Sequence, residues 1–264
     1  MKGLTVCLCV TLLMSVAGLA STLEMSFSAG PSAVSLSQVN NAISAFNVLI
    51  EHLNETFEAH PDVDGSVEPL DLMRSGLTFR ASEAFRLVDW LAVGAHFELI
   101  RASSATTGVY TGASNSNIDV DLRFSTIGLG LDAQIRFLDI GLQLALDLGA
   151  SYYRSTFDRS VLFEIPEEYP DTLSSVPPDG EGRYTASTFG LELGLSIAYP
   201  AASWLTLHSA ISYRLAPAQE ALDSTGTPLD LDGNGQSESL ALGGLSVRLG
   251  VSINIDLSLG ERKE

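Results

Sequence analysis

Ionisable side chains recur at alternate positions along apolar stretches of this chain. His96 and Glu98, Asp119, Asp121 and Arg123, and Asp132 with Arg136 form such sets, while Arg80, Asp147, Glu192, His208, Arg214, Arg248 and Asp256 stand singly in similar surroundings. Side chains two apart share one side of a β-strand, so each set projects from one face. If those faces line a narrow closed barrel, the charges must pair, because a lone buried ion is costly. The chemistry predicted is an ion-pair plug. A conduction path or a small-solute pocket would use the same residues with water between them.

His96 with Glu98, or His208 near an acid, is also half of a hydrolytic dyad. Nucleophilic catalysis needs a serine within hydrogen-bond reach and an oxyanion site as well, and the spacing locates neither. No catalytic residue is assigned, and the reading is non-enzymatic. His52 and His60 have no ligand spacing.

Oxygen ligands cluster at Asp230, Asp232, Asn234 and Glu238, with Gly235 at the sixth position of a calcium-type loop. The twelfth position is Ala241, where an EF-hand needs a bidentate glutamate. A complete EF-hand is excluded. A weak partial Ca²⁺ site or an acidic solvated turn remains, and no other cofactor is expected.

The elements that must position these groups are strands. From Ile140 to Tyr152, aliphatic residues alternate with Gly141, Gln143, Ala145, Asp147, Gly149 and Ser151. A soluble strand puts longer polar residues on its wet side. A broad apolar face opposite a small polar one fits a transmembrane barrel, lipid outside and a tight lumen within. Eight strands are predicted, at about 23–34, 72–87, 90–102, 118–136, 140–154, 184–199, 203–215 and 239–259. Their connectors alternate between tight turns, at Val88–Trp90, Phe137–Asp139 and Pro200–Ser203, and long loops. That asymmetry belongs to outer-membrane barrels.

Two phase slips call for bulges. On the fourth strand the apolar set moves from Ile118, Val120, Leu122 and Phe124 to Ile127, Leu129 and Leu131, and the second slip is at Gly243–Gly244. Glu83 shares parity with Leu77, Phe79 and Phe85, which puts a carboxylate on the lipid side. Trp90, Trp204, Phe85, Phe137 and Tyr199 near the tight turns, and Tyr152, Phe189 and Tyr213 toward the long loops, would form two interfacial girdles.

The first long connector carries a helix. Leu36, Val39, Ile43, Phe46, Ile50, Leu53 and Phe57 make an apolar seam opposite Asn40, Asn47, Asn54 and other polar residues. Ser35 or Ser37 would cap its start, and His60-Pro61 would end it. The seam must be buried, over the barrel mouth, against the inner wall of a splayed rim, or against a helical partner through residues 36–57.

Residues 1–20 read as a signal peptide: Lys2, an apolar run too short to span a bilayer, and Ala17-Gly18-Leu19-Ala20 at the cleavage point. Residues 21–264 then form a single domain. Both cysteines, Cys7 and Cys9, fall in the signal, so the remainder has no disulfide. The net charge of −18 argues against nucleic acid.

Together the signal, the eight strands, their alternation and turns such as Phe85-Arg86-Leu87-Val88-Asp89-Trp90-Leu91 resemble the small eight-stranded outer-membrane barrels, the superfamily of the OmpA membrane domain, OmpX and OmpW. The resemblance is architectural and covers nearly all of residues 21–264. It implies an all-β, up-and-down antiparallel barrel in the outer membrane of a diderm bacterium, surrounded by lipid and lipopolysaccharide, as a monomer. It leaves activity open. The chain departs from many members by ending Gly260-Glu261-Arg262-Lys263-Glu264 in place of a terminal aromatic.

Overall fold

The computed structural model describes residues 22–59, 62–111, 116–164, 180–231, 233 and 235–257. The expected signal peptide and His60-Pro61 lie outside them. In chain order the elements are β1 (Thr22–Ala33), α1 (Ser37–Glu58), β2 (Ser75–Val88), β3 (Leu91–Tyr110), β4 (Ser116–Asp139), β5 (Gln143–Glu164), β6 (Gly180–Ala202), β7 (Leu205–Leu215), β8 (Gln219–Glu220), β9 (Ser239–Leu240) and β10 (Gly244–Asp256). Eight strands close into one ring, β1-β10-β7-β6-β5-β4-β3-β2, and every neighbouring pair is antiparallel. This is the expected eight-stranded up-and-down barrel, with the helix in the first long connector.

Its outer wall is aliphatic and exposed: Phe79 and Phe97, Leu129 and Leu131, Leu191, Leu193 and Leu195, Leu249 and Val251 all face out. Water would not tolerate a continuous belt of this kind, whereas hydrocarbon requires it. Within the ring, closure gives each strand a hydrogen-bonded neighbour on both sides, as a bilayer demands. The ring is therefore a transmembrane barrel. Trp90, Trp204, Phe137 and Tyr199 stand exposed at the end with the tight turns, the periplasmic end in such barrels, and Tyr152, Phe189 and Tyr213 stand at the other. Glu83 also faces outward, between Met25 and Ala95.

The bulges are not where the pattern put them. Register breaks occur at Arg86/Val88, Arg136/Leu138 and Pro200/Ala202, one beside each tight turn. Pairing of β4 with β3 runs unbroken from Ser116 to Ile135. Ile118, Val120, Leu122 and Phe124 are buried and point inward, on the same side as Thr126 and Gly128, while Ile127, Leu129 and Leu131 point out. The side chains keep their parity and the surroundings change. Below Ser125 the strand runs between a polar lumen and lipid; above it, between an apolar core and water. The second expected slip, at Gly243–Gly244, falls where β10 begins.

β3 to β6 have 20, 24, 22 and 23 residues. A strand of that length reaches roughly 70–80 Å, far more than an apolar band of about 25 Å needs. The four strands continue as a curved fence on the loop side. Against its inner face lie α1, the segment from Val67 to Met73, and the loop from Ala221 to Leu242, which share a core with Ile118, Val120, Leu122, Phe157, Val161 and Phe163. Phe46 packs on Phe163 and Phe57 on Tyr110, with ring centroids 5.5 and 4.3 Å apart. The apolar seam of α1 is spent inside its own chain, which corrects the alternative of a helical partner bound through residues 36–57. Neither Ser35 nor Ser37 caps the helix: Leu36 holds the N-cap position with no side-chain cap, its own side chain fully buried.

The polar flank of α1 has a task of its own. Asn40, Asn47 and Asn54 each exchange two hydrogen bonds with one backbone residue, Met73, Leu70 and Val67 in turn. Seven helical residues rise about 10.5 Å, and three extended residues advance about 10 Å. The heptad-spaced asparagines therefore meet every third peptide of an antiparallel segment that is otherwise joined to β3 by isolated bridges, such as Val67 to Gly108.

Candidate functional site

The lumen of the membrane-spanning ring is crossed by one charge network. Arg80 on β2 reaches Asp132 on β4 at 2.7 Å and Glu192 on β6 at 2.9 Å. Arg248 on β10 reaches Glu192 at 2.9 Å and Glu98 on β3 at 3.4 Å, and Arg214 on β7 reaches Glu98 at 2.9 Å. Three guanidiniums thus face three carboxylates from six strands, and the group as a whole is neutral. Thr78 donates to Glu98 at 3.1 Å, and the Arg214 guanidinium lies 5.5 Å from the centre of the Tyr153 ring.

His96 joins the network through both ring nitrogens. Nδ1 is 2.9 Å from Asp132 Oδ2, and Nε2 is 2.9 Å from Ser151 Oγ. Arg80 Nη2 also lies 3.0 Å from Nδ1, so the guanidinium and the Asp132 carboxylate converge on one ring nitrogen while Ser151 meets the other. Gly130 makes this possible, since a Cβ there would come within 2.2 Å of Ser151 Oγ and 2.5 Å of the imidazole. A serine, a histidine and an aspartate are thus joined in the order used by serine hydrolases. Ser151 is 4% exposed. It does not line the polar cavity of about 110 Å³ beneath the network, whose walls include Asp132, Asp147, Gln134, His208 and Arg248. Its strand is paired on both sides, Ser151 opposite Gly130 and Gly190.

The remaining lumen candidates are spread along the axis. Asp147 accepts from Gln134 at 3.1 Å, and His208 Nδ1 is 3.1 Å from Ser252 Oγ. Arg136 lies toward the tight turns, 3.7 Å from Asp139, and Asp256 is exposed at the strand end near the same rim. Asp119, Asp121 and Arg123 are not in the lumen. They face outward on the extension of β4, where Arg123 pairs with Asp121. Counting parity across a bulge that does not exist puts them on the wrong side. Thr78, Gln134, Ser151 and Tyr153 escape sequence reasoning because uncharged inward residues give no separate signal, although each shares parity with a lumen charge.

In the fourth long loop, Asp230 Oδ2 accepts from the Gly235 amide and Glu238 Oε2 from the Leu231 amide, both at 2.9 Å. Asp232 and Asn234 lie outside the described residues. Arg159 anchors the loop by donating to the Asp230 carbonyl at 3.1 Å. Nearby, Asp223 accepts from the Thr225 hydroxyl and from the Thr227 amide, which holds its carboxyl below the usual range. Among the described residues no group of three or more histidine, cysteine or acidic side chains is arranged to hold a metal.

No known family pattern matches the chain, and no curated protein does. Similar solved structures include the outer membrane protein OprG from Pseudomonas aeruginosa, at 11% identity over 90% of this chain and 97% of that one, with a TM-score of 0.41. Neisserial surface protein A is similar at 11% identity over 89% and 97%, TM-score 0.44. A major outer membrane protein from Thermus thermophilus is similar at 12% over 88% and 99%, TM-score 0.44. Likeness at this level leaves the architecture to be read from the strand pairing, and it carries over no ligand or activity. The ring, its aliphatic wall and its polar interior are those of an eight-stranded barrel that spans an outer membrane.

Proposed function

We propose that this chain is a closed, non-conducting barrel of a diderm outer membrane that holds a folded acidic module at the cell surface, with a structural or binding role and no enzymatic one. The observation that carries this reading is a lumen blocked twice. The Arg80–Glu192–Arg248–Glu98–Arg214 network crosses it inside the membrane. The apolar core under α1 fills the mouth above. An ion moving through would have to break paired, buried charges and then enter hydrocarbon-like packing. The module buries its own helix seam, which favours a monomer. Cation assistance has less support, because Asp230 and Glu238 already accept backbone amides.

The test is conductance. Protein reconstituted into planar bilayers should give no discrete steps above the bare membrane. Steady ohmic steps, lost on heat denaturation, would replace this reading with a narrow pore.

The Ser151–His96–Asp132 chain is the specific observation favouring a hydrolase. Against it stand the burial of Ser151 and its absence from the cavity wall. A fluorophosphonate probe should leave the folded protein unlabelled, whereas labelling that vanishes in Ser151→Ala would make the hydrolase the better reading.

A further inference from the structure

Among the described strand residues, four arginines face outward: Arg101 on β3, Arg123 on β4, Arg154 on β5 and Arg183 on β6. All lie on the four long strands, where the aliphatic wall gives way to polar residues. They share that wall with Asp119, Asp121, Asp158, Glu164 and Glu181, which lie further from the aliphatic belt. Two of the four are neutralised on the wall itself, Arg123 by Asp121 and Arg183 by Asp158, the latter at 2.6 Å. Arg101 and Arg154 are exposed, and no carboxylate lies within ion-pairing distance of either among the described residues.

The strand register places these two around a small polar patch. Arg101 is opposite Ser125, and Ser125 is opposite Thr156, so a guanidinium and two hydroxyls form one line across β3, β4 and β5. Arg154 lies one outward step below Thr156, opposite Ile127. The two arginines are two strands apart and one step out of line, which sets their Cα atoms about 12 Å apart. Both side chains are long enough to converge on one headgroup or to hold two neighbouring phosphates. Leu99, Ile127 and Tyr152 lie beside or below them on the same wall, and the Tyr152 ring packs on Phe189 at 5.1 Å. An acyl chain on that surface would run down the aliphatic wall with its phosphate at the arginines.

We propose that Arg101 and Arg154, with the hydroxyls of Ser125 and Thr156 between them, form a site for the phosphate groups of an outer-leaflet lipid. The proposal rests on the membrane reading above and adds to it the residues and the headgroup chemistry. A planar guanidinium binds phosphate through paired hydrogen bonds, and serine and threonine hydroxyls supply further donors. A lipid is favoured over a soluble polyanion because the arginines sit at the edge of the apolar belt, not out on the acidic loops.

The experiment titrates fluorescent bisphosphorylated lipid A into full-length protein held in phosphatidylcholine nanodiscs. Binding should weaken on the order of tenfold to a hundredfold in the R101Q/R154Q double variant, the loss expected for two charge-assisted contacts. The R123Q/R183Q variant should bind as the wild type does. Dephosphorylated lipid should bind the wild type no better than the phosphorylated lipid binds R101Q/R154Q. Equal binding by wild type and R101Q/R154Q, or equal binding of the two lipids, overturns the proposal. Displacement of the lipid by inorganic phosphate alone would assign the patch to a free anion and overturn the lipid as its source. The heat-dependent gel shift of the folded barrel is read on the same samples. Lost lipid binding with that shift intact is thus a failure of the site and not of the membrane reading.

Discussion

Glu98 and Arg214 meet at 2.9 Å across the lumen, from β3 and β7, with side chains 0% and 1% exposed. Nothing in the sequence links positions so far apart, yet each is the other's nearest counter-charge. Arg214→Met leaves Glu98 with Arg248 at 3.4 Å as its remaining ion-pair partner and should cost about 3–5 kcal/mol in a bilayer urea titration. Adding Glu98→Leu should recover most of the loss, because the stranded charge goes with it. A cost of the single change below about 1 kcal/mol, the value of a solvated pair, would show that water fills the lumen.

Asn47 ties α1 to Leu70 through two hydrogen bonds. Asn47→Ala should weaken the packing of residues 34–74 by about 1–3 kcal/mol, since it strands an amide and a carbonyl that are both partly buried. Hydrogen exchange should rise in that segment and stay unchanged in the ring. Uniform protection in the variant would mean that the seam alone holds the helix.

Tyr110 lies beyond the membrane on β3, under Phe57, and donates to Asn54 Oδ1. Burial pushes its phenol up to about 12. An acid whose pKa is raised on folding contributes stability that is complete below its unfolded pKa, about 10, and is lost as pH climbs through the folded value. The helix module should therefore loosen between about pH 10 and 12. Tyr110→Phe should remove that dependence, as followed by hydrogen exchange or limited proteolysis.

Leu195 and Phe124 are large apolar residues in opposite settings, one on the lipid wall and one in the core beneath α1. Leu195→Arg should cost roughly 2–4 kcal/mol in a bilayer and much less in detergent, where the guanidinium reaches water. Phe124→Ala should cost about 3–5 kcal/mol in both, because it opens a cavity in protein packing. Equal bilayer dependence of the two changes would contradict the division of β4 at Ser125.

The acidic loop holds itself through Asp230 and Glu238. Millimolar calcium should leave the protease resistance of residues 216–238 unchanged, and Glu238→Ala should lower it with or without the ion. Calcium protection that Asp232→Ala abolishes would restore the partial-site reading.

Strand number, wall and lumen faces, connector asymmetry and the loop helix were legible, because burial in lipid or in a polar lumen imposes a period of two and a helix seam a period near 3.6. The extension of β3 beyond Ala102 was not. There Ser103, Thr107 and Val109 face water, and Ser104, Thr106 and Tyr110 face the module, so neither side keeps one character. Parity reports which side a residue is on and says nothing of what lies there, and this is why the apolar set from Ile118 to Phe124 calls for a bulge that the strand does not have. The lumen charges were visible singly, but their partners depend on ring closure. The asparagine ladder was present as 40, 47, 54, a heptad of one residue type on a polar face, and that regularity was the available clue.

Gln38 and Ser239 join the two ends of the module: Ser239 Oγ donates to Gln38 Oε1 at 2.7 Å across 201 positions of chain. The module takes its helix from the first connector, its rear wall from the middle strands and its flank from the last loop. Pairing of β1 with β10 is what brings the first connector beside the last loop. Contacts of such high sequence separation carry a large loop-closure cost. A chain halted in the membrane with an open seam would show an unsheathed amphipathic helix and a loose acidic loop.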